Sequence, residues 1–176
     1  MQIICDRLLL RTVTELDIKE VARMWEFEKG TISEEAASEA ILSMQRNHQK
    51  NMVGSLYHIC FAIFEKESDT IIGWCGLDGR HEGKLDIFYL VDAAYRGRGY
   101  ATECARALLS YAFIQMQVPY VHGGCDKNNP ASYRVMEKIG MQRIGSEENG
   151  DPLFGLDRAT YTSTMNKASW MNRCCR

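Results

Sequence analysis

The sequence has no apolar run approaching the ~20 residues of a membrane helix, and no apolar stretch near its start of the kind that marks a secretory signal. It has no basic excess: 21 Lys and Arg stand against 23 Asp and Glu, a net charge of −2. Nucleic-acid binders carry a basic stripe, so no nucleic acid and no membrane are expected as partners. It has no CxxC pair. Its seven cysteines are odd in number and scattered, which points to free thiols in a reducing, cytoplasmic setting. No group of His, Cys and Asp has metal-ligand spacing, so no metal is expected. The histidines are scattered, and His58 and His122 fall in expected strands and read as structural.

What remains is an ordinary globular composition, 45% hydrophobic and 25% charged over 176 residues, which fits one domain. The chain reads as a single domain, 1–176, with a core over about 6–164 and a tail over 165–176. Cys174 and Cys175 in that tail cannot easily bridge each other.

The stretch from Asp86 to Arg106 organises the rest. Leu85, Ile87, Tyr89 and Val91 alternate with Asp86, Phe88, Leu90 and Asp92, the period of a strand. Arg96-Gly97-Arg98-Gly99-Tyr100-Ala101 follows. Ala101, Ala105, Leu108, Ala112 and Met116 then recur at helical spacing. Two glycines between a strand and a helix let backbone N–H groups converge at the positive end of the helix dipole, which favours an anion such as a phosphate. A P-loop would end in Gly-Lys-Ser/Thr, and none occurs. A dinucleotide fingerprint would need a third glycine where Thr102 stands, and an acidic residue about 20 positions on.

Arg96-x-x-Gly99-x-Ala101 resembles the pyrophosphate-binding signature of the GCN-five-related N-acetyltransferases. The later block Asn129-Pro130-Ala131-Ser132-Tyr133-Arg134-Val135-Met136-Glu137-Lys138-Ile139-Gly140 is similar to the second block of that superfamily, in the right order. Asp6-Arg7-Leu8-Leu9-Leu10-Arg11 and Ile71-Ile72-Gly73-Trp74-Cys75-Gly76-Leu77 resemble its RimJ/RimL-like branch of ribosomal-protein alanine acetyltransferases. The resemblance spans roughly residues 6–164.

Read in order, residues 7–13 form a strand. Thr14 and Asp17 cap a helix marked by Ile18, Val21, Ala22 and Trp25 and ended by Gly30. Thr31 and Glu34 form a capping box for a second helix. Leu56–Phe64, Thr70–Leu77 and the key strand follow as an antiparallel meander. Tyr120–Cys125 is a fifth strand, parallel to the key strand because a helix connects them. Asn129 caps a short helix with Pro130 at its first position. Residues 141–146 and 153–163 close the chain as a hairpin. The fold class is α/β, with a mixed, mostly antiparallel sheet of six to seven strands and about four helices. By resemblance, the fourth and fifth strands splay apart in a V.

The resemblance implies acetyl-CoA as co-substrate and a primary amine as acceptor, on a protein N-terminus or a small molecule, in a monomer or homodimer. Backbone groups of Arg96, Gly97, Arg98, Gly99, Tyr100 and Ala101 would hold the pyrophosphate, with Thr102 adding a hydroxyl. Tyr89, Leu90 and Val91 would line the pantetheine arm, with the Leu90 N–H polarising the thioester carbonyl. Asp86 is the candidate base, and a water relay stands beside it. An α-amine of pKa ~7.7–8 asks little of a base. Many members carry a tyrosine where Met136 stands here; in the resembling branch a hydroxyl at the Ser132 position fills its role, which implies Ser132 as proton donor to the leaving thiolate, with Asn129 touching the cofactor. The missing tyrosine leaves a catalytically silent acyl-CoA-binding module as the alternative. Residues 26–39 are rich in Glu and border the acceptor side in the resembling branch, where negative charge suits a cationic amine.

Overall fold

The computed structural model describes residues 1–24, 31–81 and 83–165. Its strands are β1 (Gln2–Ile4), β2 (Leu8–Arg11), β3 (His58–Glu65), β4 (Thr70–Asp78), β5 (Asp86–Val91), β6 (Tyr120–Gly124), β7 (Gln142–Ser146) and β8 (Pro152–Asp157). Its helices are α1 (Ile18–Met24), α2 (Glu34–His48), α3 (Tyr100–Ser110) and α4 (Pro130–Lys138), and residues 158–165 are also helical. The strands form one sheet in the order β1-β2-β3-β4-β5-β6-β8-β7. Every neighbouring pair is antiparallel except β5 and β6.

The mixed sheet and its single parallel pair agree with the sequence reading, and three details differ. The eighth strand is β1, whose Gln2, Ile3 and Ile4 pair with Arg11, Leu10 and Leu9; three residues are too short for alternation to register. The closing hairpin ends at Asp157 rather than running to 163. The Asp157 carboxylate accepts bonds from the Thr160 N–H at 2.8 Å and the Thr160 hydroxyl at 2.6 Å, which starts a helix there. The cap of α2 is Ser33, not Thr31: the Ala36 N–H donates to Ser33 Oγ at 3.2 Å, and Glu34 is the first helical residue. The Thr14 and Asp17 cap holds, with Asp17 also gripped by Arg11 at 2.7 Å. Trp25, Gly30, the start of the acidic stretch at 26–30 and the Cys174-Cys175 pair lie outside the described residues.

The two faces of the sheet bury different cores. Leu10, Phe61, Ile63, Ile72, Leu77, Ile87 and Val121 pack against Leu108, Leu109 and Ala112 of α3 and its π-helical continuation, and against Met136 of α4. Ala62, Phe64, Ile71 and Trp74 pack against Val21, Met24, Ala37 and Ile41 of α1 and α2. The buried Trp74 indole donates to the Met24 carbonyl at 2.8 Å, tying α1 to β4. Each fully buried leucine or phenylalanine stabilises the fold by ~1.5–3 kcal/mol, so the sheet is a rigid platform for what sits at its one irregular seam.

Candidate active site

That seam lies between β5 and β6. The two strands share one register position, Asp86 opposite His122, joined by the His122 N–H donating to the Leu85 carbonyl at 2.8 Å. Beyond it β5 continues to Val91 without a partner on that side, and the strands part in a V. Gly123 sits just past the vertex. A Cβ there would lie 2.9 Å from Met136 Cε and 3.2 Å from Ile87 Cγ2, so glycine lets those two side chains fill the floor of the V. Met136, at the position where the resembling family has tyrosine, is therefore a core residue, 1% exposed.

Backbone parity decides which β5 groups face the opening. The Asp92 N–H bonds to Ile72 O of β4, and a Cβ on Gly73 of β4 would lie 2.2 Å from Leu90 O. Asp86, Phe88, Leu90 and Asp92 thus direct their peptide groups at β4, and Ile87, Tyr89 and Val91 direct theirs into the V. The expected oxyanion contact from the Leu90 N–H is corrected by this geometry: that N–H points to the ladder. The backbones of Tyr89 and Val91 do face the opening, and Arg96 Nε takes the Val91 carbonyl at 2.9 Å.

At the end of β5 the chain turns as the sequence predicts. Asp92 accepts from the Ala94 N–H at 2.9 Å and starts a 3-10 turn over Ala93–Tyr95. Gly97 and Gly99 have φ of 79° and 83°, a region that favours glycine. Gly99 is the N-cap of α3, so the N–H groups of Tyr100, Ala101 and Thr102 have no intrahelical partner. No hydrogen bond among the described residues uses the N–H groups of residues 97–102. Six peptide N–H groups at a glycine turn and helix start are thus left for a ligand, which suits a multiply charged anion.

The arginines divide their work. Arg96 braces the turn, and Arg98 lies over the Tyr95 ring and 3.8 Å from Glu65. Arg7 donates to Arg98 O at 2.9 Å and pairs with Glu103 at 2.8 Å, so Glu103 is structural. Tyr100 is buried, and its hydroxyl donates to Glu65 at 2.5 Å. Beside the turn a groove of about 660 Å³ is lined by Arg7, Gly99, Thr102, Arg106, Ser110 and Lys138.

Across the V, α4 begins at Asn129, whose Oδ1 accepts from the Ser132 N–H at 3.0 Å. Ser132 Oγ lies 2.9 Å from the Tyr89 hydroxyl, which is 3.2 Å from Ser132 O. Burial pushes the Tyr89 phenol up to about 12, against the lowering effect of Ser132, so it stays protonated across the physiological range. Tyr133 turns the other way, its ring edge-on to Phe154 at 5.1 Å. The sequence reading assigned Tyr89 only a backbone contact. Its place on the α3 and α4 face follows from strand alternation with Ile87 and Val91, but its meeting with Ser132 depends on the angle at which α4 crosses.

Asp86 faces the opposite side of the sheet, in a row His58, Asp78, Asp86, His122 across β3, β4, β5 and β6. Arg80 grips Asp78 at 2.6 and 2.8 Å and, with some opposition from burial, holds its carboxyl down to about 2. Asp86 takes part in no side-chain hydrogen bond or ion pair among the described residues. The Nδ1 atoms of His58 and His122 are buried without a partner, a condition that costs ~1–3 kcal/mol each. Burial lowers the His58 pKa, helped by Arg80. No group of His, Cys, Asp and Glu among the described residues is arranged to hold a metal ion, and no helix among them is long and apolar enough to cross a membrane.

Comparison with known proteins places this geometry. Residues 7–142 match the family model of the acetyltransferase (GNAT) domain. The chain is 35% identical over 88 residues to the uncharacterised N-acetyltransferase YnaD of Bacillus subtilis, covering 48% of this chain and 51% of that protein; it spans about half the length of the curated relatives it matches. The fold superimposes on the ribosomal-protein-S5-alanine acetyltransferase of Vibrio fischeri with a TM-score of 0.74 at 16% identity, over 92% of this chain and 98% of that one. It superimposes on RimL, the ribosomal L7/L12 α-N-protein acetyltransferase in complex with coenzyme A, with a TM-score of 0.73 at 16% identity, over 89% and 98%. With the splayed strands and the donor-lined turn at the mouth of the V, the match over most of the chain makes this protein a member of the GNAT acetyltransferase family.

Proposed function

We propose that this chain transfers the acetyl group of acetyl-CoA to a primary amine by direct attack, with both substrates bound at once. The observation that carries this is the open seam: β5 leaves β6 after Asp86, and the seam opens towards a turn whose six N–H groups have no hydrogen-bond partner among the described residues. A pyrophosphate is the ligand whose charge and size use such a turn. The Tyr89 and Val91 peptide groups can hydrogen-bond the amides of the pantetheine arm, as a missing strand would.

Acetyl-CoA supplies an activated acyl carbon. The chain supplies position and charge. Asp86 is the carboxylate of the row left to accept a proton, because Asp78 is held by Arg80 and is a poor base. A peptide N–H facing the V, from Tyr89 or Val91, takes the oxyanion role, worth ~10²–10³ in rate for one such donor. Ser132 and Tyr89 act on the leaving sulfur as hydrogen-bond donors. A thiolate of pKa ~8.5 does not remove the proton of a phenol at about 12, so the thiolate departs solvated by hydroxyls rather than protonated by one.

The acceptor class we favour is a protein N-terminal α-amine, followed by a small-molecule amine such as a polyamine. Fold neighbours whose names give their substrates as ribosomal proteins support the first. The test is thiol release from acetyl-CoA with peptides beginning in alanine, serine or methionine and with spermidine. Turnover with one of them is expected. Tight acetyl-CoA binding without thiol release would instead mark a silent acyl-CoA-binding module.

A further inference from the structure

From the sequence, His122 is a structural histidine of β6. Its surroundings point further. The one register position where β5 and β6 touch sets His122 beside Asp86. In-register side chains of neighbouring strands leave the same face, so imidazole and carboxylate stand side by side at a strand spacing of roughly 4.8 Å. Alternation agrees: Val121 and Ile87 enter the core on the other face. Neither group has a polar partner. Asp86 enters no side-chain hydrogen bond or ion pair among the described residues, and His122 Nδ1 is buried and unpartnered.

The neighbours do not supply one. The Tyr120 ring packs on His122 at 4.6 Å between centroids. The β8 residue opposite His122 is Gly155, and the Tyr120 hydroxyl occupies the place a Cβ would take there, 2.0 Å from it. On the other side Asp78 is held by Arg80. The second unpartnered histidine, His58, is two strands further on and stacks against Phe88 at 6.3 Å. The vertex of the V is thus flanked by Asp86 and His122, neither with a hydrogen-bond or ion-pair partner for its side chain among the described residues.

An ammonium ion that becomes an amide loses two protons. One leaves to free the lone pair. The second leaves after nitrogen has bonded the acyl carbon, as the carbon–sulfur bond breaks and its electron pair goes to sulfur. A single carboxylate must shed the first proton to solvent before it can take the second. We propose that His122 is the second proton acceptor of this site, paired with Asp86, its ring taking a hydrogen bond from the acceptor nitrogen or from a water bridging to it. One proton goes to each group and then to solvent. This rests on the acetyl-transfer reading.

The test compares His122→Gln, His122→Asn, Asp86→Asn and His122→Gln with Asp86→Asn. Rates of thiol release are measured with peptides beginning in alanine or serine, with spermidine, and with water as the acceptor in background hydrolysis of acetyl-CoA. Calorimetry with CoA and thermal midpoints accompany them. Each His122 variant is expected to lose about tenfold or more in kcat, with the acetyl-CoA KM and the CoA affinity unchanged within about twofold. In the Asp86→Asn background, His122→Gln is expected to cost less than about threefold, because the two groups act as a unit. Near wild-type kcat in both His122 variants, or losses that multiply in the double variant, would overturn the pairing and leave acetyl transfer standing. Absence of CoA binding by the wild-type protein would remove the acetyl-transfer reading, and the pairing with it.

Discussion

Tyr89 on β5 and Ser132 on α4 meet hydroxyl to hydroxyl at 2.9 Å across the open end of the V. The contact joins β5 to α4. On the proposed reading both hydroxyls are donors to a leaving sulfur. Ser132→Ala is expected to lower kcat by about tenfold or more. Tyr89→Phe is expected to lower it by less, and to destabilise the fold by ~0.5–1.5 kcal/mol for the lost hydrogen bond. Tyr133→Phe, with its ring against Phe154, keeps wild-type turnover. Steady-state kinetics with chemical denaturation of the three variants checks this; full activity in Ser132→Ala would remove the hydroxyl pair from the mechanism.

Gly99 tests the turn. A Cβ there would meet only the Arg7 guanidinium, at 3.5 Å, yet φ is 83°. The constraint is conformational, of ~1–2 kcal/mol for an L residue in that region. Gly99→Val is expected to fold with a slightly lower thermal midpoint and to bind CoA at least about tenfold more weakly, because relief of the strain swings the N–H groups out of convergence. Unchanged CoA affinity in the folded variant would show that the turn does not hold the pyrophosphate.

Asp86→Asn is expected to lower kcat by about a hundredfold, within the range for one general base. Acetyl-CoA affinity stays at the wild-type value. Wild-type turnover across the pH range would exclude Asp86.

Asp78 beside Arg80 gives a prediction about stability rather than rate. Its folded carboxyl titrates at about 2, below the ordinary 3.8. A depressed folded value stabilises the native state above the ordinary value and ceases to do so as pH falls through the folded one. Asp78→Asn is expected to lower the thermal midpoint at pH 7, and the gap from wild type is expected to close between about pH 4 and pH 2. A gap that persists at pH 2 would mean the carboxylate is not what the pairing stabilises.

Much of the chain was legible because its signals are local. Alternation from Ile87 to Val91, the two glycines at 97 and 99, and Asn129-Pro130 each fix backbone within a few residues, and each element appears where they place it. What was not legible depends on distance through space. Which β5 peptide groups face β4 is a matter of register, and register turns the Leu90 N–H towards β4 rather than into the V. The Tyr89 side chain needed the crossing of α4. That His122 stands beside Asp86 could not be read from either strand alone, because a strand histidine carries no local sign of its neighbour on the next strand. Ser33 displaced Thr31 as a cap because two hydroxyls within three residues offer the same bond, and the Ile32 N–H, donating to the Ala22 carbonyl at 3.0 Å, holds Ile32 outside the helix.

If the seam between β5 and β6 is an acetyl-CoA site, calorimetric titration of the wild-type protein with acetyl-CoA, CoA and NAD reads it out. One site per chain is expected for acetyl-CoA and CoA, lost or weakened in Gly99→Val, and no binding of NAD. No heat with either CoA species, or equal binding of NAD, would contradict it.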